Sequence, residues 1–209
     1  MSDWELLPGE TPIDVSGLKR KGIRARAELN RAEAENIRKA VVKYLAAKPS
    51  RRSAPFTLSW VKRLHEQMFG DVWKWAGEFR QENINLGCDW HQVPTRLQAL
   101  LDDLAFWEEQ GESLSDQAVR LHHRAVTIHP FLNGNGRWAR MLANIWLKRH
   151  GQVVTEWPEE TIGTKNVVRE EYIEAIRAAD EGDEGPSSEL QQRFTPGRAI
   201  RRPNESNET

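Results

Sequence analysis

Apolar positions recur at helical spacing along most of this chain. Between residues 29 and 45, Leu29, Ala32, Ile37, Val41, Tyr44 and Leu45 gather near one face, and Asn30 with Glu33 three positions later has capping-box form. A helix is therefore predicted over about 30–47, ended by Lys48-Pro49, because a residue before proline avoids the α region. Leu58, Val61, Leu64 and Met68 mark a second helix from about Thr57 to Phe69, with Gly70 as its stop. Further helices are expected over about 94–110, about 115–128, 138–150 and about 165–180 on the same periodicity. Residues 79–92 break it: Phe79, Ile84, Leu86 and Trp90 sit among polar residues around Gly87, which predicts a short β-hairpin flap. The fold class expected is mainly α, with one small extended flap.

Composition narrows the class. The 209 residues carry 30 Lys and Arg against 31 Asp and Glu, a net charge of −1, so no basic field exists to hold nucleic acid by counterion release. Mean hydropathy is −0.71, the apolar stretches are too short for a bilayer-spanning helix, and the first thirty residues hold no run of signal-peptide length; a cytoplasmic protein with no membrane or direct nucleic-acid partner is expected. One cysteine, Cys88, excludes an intrachain disulfide framework, and it is read as an inert thiol. The expected organisation is an N-terminal arm and helix over 1–50, a core over 51–182 and a disordered tail over 183–209, where Pro, Gly and Ser crowd out apolar residues.

One segment departs from the helical pattern in a way that suggests chemistry. Residues 129–140 read His-Pro-Phe-Leu-Asn-Gly-Asn-Gly-Arg-Trp-Ala-Arg. Gly134 and Gly136 let the backbone curl tightly and bring its N–H groups forward, and the curl opens into a helix whose unpaired N–H groups and positive dipole end favour an anion. Arg137 and Arg140, one turn apart, add two guanidinium forks that suit phosphate. His129 at the mouth can take a proton at cellular pH, as a general base for a hydroxyl nucleophile must, and Asn133 or Asn135 could orient a phosphate or offer an oxygen to Mg²⁺. The reading is nucleotide binding with base-assisted attack on a phosphate.

This segment closely resembles the signature of the Fic (Fido-fold) family, His-x-Phe-x-acidic-Gly-Asn-Gly-Arg-x-x-Arg, with Asn133 as the departure from it. GEFR at 77–80, the INLGCDWHQVP stretch and REEYIEAIRAADEGD resemble the subfamily known as mobile mystery protein B, and the likeness covers about residues 5–185. The resemblance implies a Fic/Fido helical core with an N-terminal helix packed near the active site, and a protein adenylyltransferase moving AMP from ATP to a Ser, Thr or Tyr hydroxyl of a target protein. By matched position, His129 is the general base and Phe131 anchors the loop. Gly134, Asn135 and Gly136 form the anion hole, Arg137 takes the β-phosphate and Arg140 the γ-phosphate. Ile84, Asn85, Leu86 and Gly87 of the flap hold the target segment by strand addition. Asn133 stands where the family has an acidic ligand for Mg²⁺ or Mn²⁺, so a weaker metal site is expected.

The family also implies an inhibitory helix whose glutamate pairs with the last arginine of the signature. Arg31-Ala32-Glu33-Ala34-Glu35-Asn36 supplies a Glu-Asn pair with Arg31 in place of the usual hydroxyl residue, which makes Glu35 the first inhibitory candidate and Glu33 the second. A solvated charged face would produce the same run of residues without inhibiting anything. The same fold could also house a phosphotransferase, which Arg140 disfavours, or a catalytically idle toxin–antitoxin-like module, which His129 disfavours. A helix-turn-helix partner protein is implied by the subfamily alone. Trp73 and Trp75 are read as packing residues rather than an adenine platform. The histidines at 91, 122, 123 and 129 are not read as a zinc cluster, and Lys19-Arg20-Lys21 is read as solvated surface.

Overall fold

The computed structural model describes residues 14–20, 22–158, 162 and 166–197. Helix α1 (Arg26–Leu45) packs across α2 (Leu58–Phe69); α3 (Val93–Glu109) lies beside α4 (Leu114–Ile128), and α4 runs along α5 (Asn135–Arg149). Helices α6 (Val167–Asp180) and α7 (Gly185–Arg193) form a second, smaller unit against α4. Among the described residues no helix is long and apolar enough to cross a membrane.

Helix α5 is the axis of the core. Trp138, Ala139, Met141, Leu142, Ala143, Ile145, Trp146 and Leu147 are all buried, and with Arg140, Asn144 and Arg149 also covered the helix is buried on nearly every side. Rings fill the space between helices: Trp60, Trp73, Trp138, Trp146, Phe69 and Phe131 are fully buried, each fully buried large apolar side chain contributing on the order of 1.5–3 kcal/mol. Trp60 meets Tyr44 of α1 edge-on at 5.8 Å, and Phe56 meets Trp146 of α5 at 5.0 Å, so one aromatic cluster joins three helices.

Helix α1 begins one turn earlier than its pattern predicts. The capping carboxylate is Glu28, which accepts from the N–H groups of Arg24 and Ala25, and not Glu33. The helix docks through Leu29, Ala32, Glu33, Asn36, Ala40 and Tyr44, which leaves Val41 and Val42 exposed. Asn36 fixes the register: its side chain donates to the Gln67 carbonyl at 3.0 Å and accepts from the Asp71 N–H at 2.8 Å.

Two expectations fail. The described residues contain no β-strand, only an isolated bridge between Leu18 and Trp73, so the 79–92 segment is not a β-hairpin. Its polar groups are met by other means. The Glu82 and Cys88 carbonyls accept from the Arg80 guanidinium, and the Trp90 N–H donates to the Asn83 side chain at 2.9 Å, so no cross-strand ladder is needed. The tail expected from 183 onward instead folds at Gly185–Arg193, with Pro186 in the first turn. Leu190 and Phe194, four apart, find a small apolar cluster with Tyr172, Ala175 and Trp157, and the Ser187 hydroxyl donates to the Ala175 carbonyl at 3.0 Å. Residues 198–209 of that tail lie outside the described residues.

Candidate active site

The signature loop joins α4 to α5, and every turn of it is held. Helix α4 ends at His129 in the left-handed region (φ 53°). This conformation is strained for a side chain with a Cβ and reverses the chain at the point where the imidazole projects. One imidazole N–H donates to the Val126 carbonyl, which makes the other ring nitrogen the one that carries a lone pair in the neutral ring. Only 9% of His129 is exposed, and burial, more than the nearby Arg80 charge, lowers its pKa to about 4. The ring is therefore neutral at pH 7.

Beyond His129 the loop is pinned by Phe131 and Asn135. Phe131 is fully buried, stacked on the His65 ring at 3.7 Å and edge-on to Trp138 at 5.1 Å. The Asn135 amide exchanges two hydrogen bonds with the Phe131 backbone, accepting from its N–H at 2.9 Å and donating to its carbonyl at 2.8 Å. The Asn135 side chain thus clamps the loop rather than facing a ligand. What it leaves for an anion is the backbone: the first N–H groups of α5, at Asn135, Gly136 and Arg137, have no partner within the helix.

Gly134, with φ 78°, is the helix cap, and a Cβ there would stand 2.6 Å from the Phe69 ring, so only glycine fits. Gly136 has ordinary helical geometry, but a Cβ there would stand 3.4 Å from an Arg140 amino group and 3.7 Å from the Tyr172 hydroxyl, so its missing side chain keeps open the space those two border. Arg140 is buried over the Tyr172 ring at 5.2 Å, and the Tyr172 hydroxyl lies 2.9 Å from His122 Nε2. Burial, with Arg140 close by, lowers the His122 pKa to about 3 and keeps that ring neutral.

Arg137 is partnered from across the molecule. Its guanidinium lies over Phe69 at 5.0 Å and donates to Glu33 Oε2 of α1 at 2.6 Å, while the Trp73 indole N–H donates to Oε1 of the same carboxylate at 2.6 Å. Glu33 is 3% exposed, so this is a buried, fully engaged carboxylate at the cradle's edge. Glu35, the first candidate by sequence, points the other way: it is exposed and 3.5 Å from Arg20. The contact also falls on the first arginine of the signature, not on the last. Trp73 and Trp75 stack on each other at 4.9 Å and pack against the 14–20 segment.

Asn133 sits half-buried at the rim. Its side-chain oxygen accepts from the Gly134 N–H at 2.7 Å, which leaves one lone pair of a neutral, hard oxygen. Among the described residues no group of three or more His, Cys, Asp or Glu could hold a metal ion, and the Asn133 oxygen is a neutral donor of the kind a hard cation accepts. In the 84–87 segment, Ile84 and Leu86 are half-buried and Gly87 lies directly over His129, where a Cβ would come within 2.6 Å of the histidine Cβ.

Two residues of this site do not announce themselves in sequence. His65 on α2 accepts from the Gly77 N–H at its Nδ1 (3.0 Å), so its Nε2–H donates to the Asn133 carbonyl (3.0 Å), and burial lowers its pKa to about 3. Arg80 donates from Nε to the His129 carbonyl at 2.8 Å. The sequence marks Arg80 only as the end of the GEFR stretch and His65 not at all, because their partners in the signature loop lie 49 and 68 residues away.

The class so defined is a helical domain with a glycine-curled, arginine-flanked anion cradle under a histidine. Residues 55–147 match the Fic/DOC family, and the chain is similar to proteins named protein adenylyltransferase Fic. The protein of that name from Drosophila grimshawi is 33% identical over 135 residues, covering 62% of this chain and 26% of its own; that from Aedes aegypti is 29% identical over 152 residues, covering 70% and 29%. This chain thus spans about a quarter of the length of these relatives. Among solved structures, Fic-1 (aa134–508) of C. elegans matches with a TM-score of 0.66 at 22% identity over 91% of this chain and 51% of its own. BepC of Bartonella tribocorum, with bound AMPPNP, matches at 0.64 and 21%, over 91% and 95%. These likenesses establish a shared, mainly helical Fic fold.

Proposed function

We propose that this protein is an adenylyltransferase that moves AMP from ATP to a hydroxyl side chain, Ser, Thr or Tyr, of a target protein in the cytoplasm. The observation that carries the reading is the juxtaposition of a neutral, oriented His129 with the Gly134–Arg140 cradle at the start of α5. The relatives named for protein adenylyltransferase activity and the neighbour with bound AMPPNP support it.

In this reading the triphosphate tail lies over the N-terminus of α5. Backbone N–H groups at 135–137 receive the α- and β-phosphate oxygens, Arg137 the β-phosphate and Arg140 the γ-phosphate. The target backbone runs along residues 84–87 and brings its hydroxyl between His129 and the α-phosphorus. The unprotonated imidazole nitrogen takes the hydroxyl proton as the oxygen attacks, the bond from the α-phosphorus to the α–β bridging oxygen breaks, and pyrophosphate leaves. Backbone N–H groups and arginines already in place stabilise the charge that builds on the phosphate oxygens. The side-chain oxygen of Asn133 would be a ligand to Mg²⁺ or Mn²⁺, which when bound would screen phosphate charge, and a neutral ligand makes that site weak.

Glu33 acts as a brake on the same site. A carboxylate held on Arg137 occupies the place of a β-phosphate oxygen and repels what remains of the tail. Because the contact is with the β-phosphate arginine, it opposes ADP and ATP alike. A helix-turn-helix partner, suggested by the subfamily resemblance, is one source of release.

The test is incubation of the Glu33→Ala protein with ATP labelled at the α- or the γ-phosphate, beside the same protein carrying His129→Ala. Protein-bound label from α-labelled ATP alone, lost with His129→Ala, is the expected result. Label from γ-labelled ATP would make it a phosphotransferase, and label from neither would refute transfer.

A further inference from the structure

A guanidinium that is 2% exposed and touches no carboxylate among the described residues is unusual, since a charge taken out of water is costly unless fully engaged. Arg80 meets that cost with backbone carbonyls alone: Nε donates to the His129 carbonyl at 2.8 Å, Nη1 to the Glu82 carbonyl at 2.9 Å and Nη2 to the Cys88 carbonyl, while its own N–H donates to the Pro130 carbonyl at 3.0 Å. The three acceptors of the side chain lie on two separate pieces of backbone, the signature loop and the segment over it. A planar fork with divergent donors can reach all three, and a lysine ammonium cannot match that geometry.

The consequence falls on His129. Its left-handed backbone is held from one side by its own N–H, which donates to the Ala125 carbonyl at 3.3 Å, and from the other by Arg80 on its carbonyl. Those two bonds fix both peptide planes flanking the residue, and with them the direction in which the imidazole projects. The same guanidinium draws residues 82–88 down until Gly87 rests on the histidine Cβ and the Cys88 N–H reaches the Ile128 carbonyl at 3.4 Å.

The geometry points to Arg80 as the positioning residue of the active site: it holds His129 at the attack angle and seals the 82–88 segment over it, without touching nucleotide. This rests on the adenylyltransferase reading only for its kinetic consequence, because the seal over His129 is measurable without any turnover. Among the described residues Arg80 bonds His129, Pro130, Glu82 and Cys88 and none of residues 134–140, so its loss should separate chemistry from nucleotide binding.

The experiment uses the full chain carrying Glu33→Ala, with and without Arg80→Lys or Arg80→Ala. Single-turnover transfer from α-labelled ATP is expected to fall about 100-fold in both variants, in line with the cost of misplacing a catalytic group by an ångström, while ATP affinity stays within about threefold. Added guanidinium is expected to restore transfer in Arg80→Ala and to leave Arg80→Lys unchanged. In parallel, carbethoxylation of His129 by diethylpyrocarbonate, read by mass spectrometry, is expected to speed up by about fivefold or more as the seal loosens. Transfer within threefold of the parent, transfer and ATP affinity lost together, or unchanged His129 modification in the lysine variant would each overturn the assignment. Absence of transfer in the parent counts against the adenylyltransferase reading instead and leaves the modification rate to decide Arg80.

Discussion

A histidine meant to take a proton from a hydroxyl must be neutral when the substrate arrives. Burial accomplishes this for His129 by lowering its pKa to about 4, at the cost of some basicity. The sign is clear: protonation requires acid well below the usual histidine range, so the active form persists as pH falls through 6.5. In the Glu33→Ala protein, kcat/KM for transfer should stay flat between pH 8 and about 5.5, read from initial rates in constant-ionic-strength buffers. An acid limb with its midpoint near 6.5 would mean that the histidine is solvated in the working enzyme. At this scale sequence is most informative where the loop is local. His129, Phe131, Gly134, Gly136 and the two arginines can be read from twelve consecutive residues, because tight turns and helix starts constrain neighbours. His65 gives no such signal because Asn133 lies far along the chain, Arg80 stands out only as the end of the GEFR stretch, and Asn135, expected at the phosphates, turns its side chain to hold Phe131.

Helices are legible for the same reason in reverse: their burial repeats every few residues, so α2 to α6 can be placed from spacing alone. The inward face of α1 is only partly apolar. Leu29, Ala32 and Tyr44 are buried and Ile37 and Leu45 pack against the core as the spacing predicts, but Val41 is exposed and the polar Glu33 and Asn36 lie inward. By that phase, Glu33 falls inside the interface and Glu35 outside it. The 79–92 segment misleads differently, because alternating Ile84 and Leu86 suggest a strand but no second strand lies beside them; Arg80 does the pairing. The proposed brake belongs to this scale, since α1, docked by Asn36 and Tyr44, carries Glu33 to Arg137. Glu33→Ala should raise self-adenylylation by about tenfold or more, as loss of a buried charged contact worth about 1.5–3 kcal/mol allows, and Glu35→Ala should change it less than about twofold. The reverse ranking, measured with α-labelled ATP, would return the inhibitory role to Glu35.

Three neutral histidines inside one small domain give the whole molecule an acid liability. His65 and His122 have pKa values lowered to about 3 and His129 to about 4, mainly by burial. The unfolded chain binds protons near pH 6.5 and the folded one does not, so stability is full above that value and drains away as pH falls toward 4. Between pH 7 and pH 5 each histidine should cost about 2 kcal/mol, and urea midpoints should fall steeply over that interval. His122→Gln should shallow the dependence by about one proton's worth. A urea midpoint unchanged between pH 7 and pH 5 would show that the rings are not buried neutral. The helical domain, α6 included, is legible from composition and periodicity, but α7 of its second unit is not. The α6–α7 pair depends on Leu190 and Phe194 reaching Tyr172 and Trp157, a contact that polar and turn-forming neighbours in the 183–197 stretch conceal.

In the proposed mechanism the bend from Gly134 into α5 seats a triphosphate tail with its innermost phosphorus facing His129. A crystal structure of the Glu33→Ala protein soaked with a non-hydrolysable ATP analogue tests it directly. Phosphate oxygens are expected on the backbone N–H groups of residues 135–137, the β-phosphate on Arg137, and the α-phosphorus turned toward the unprotonated imidazole nitrogen. A nucleotide whose phosphates lie away from the start of α5, or whose γ-phosphate takes the place next to His129, would contradict it.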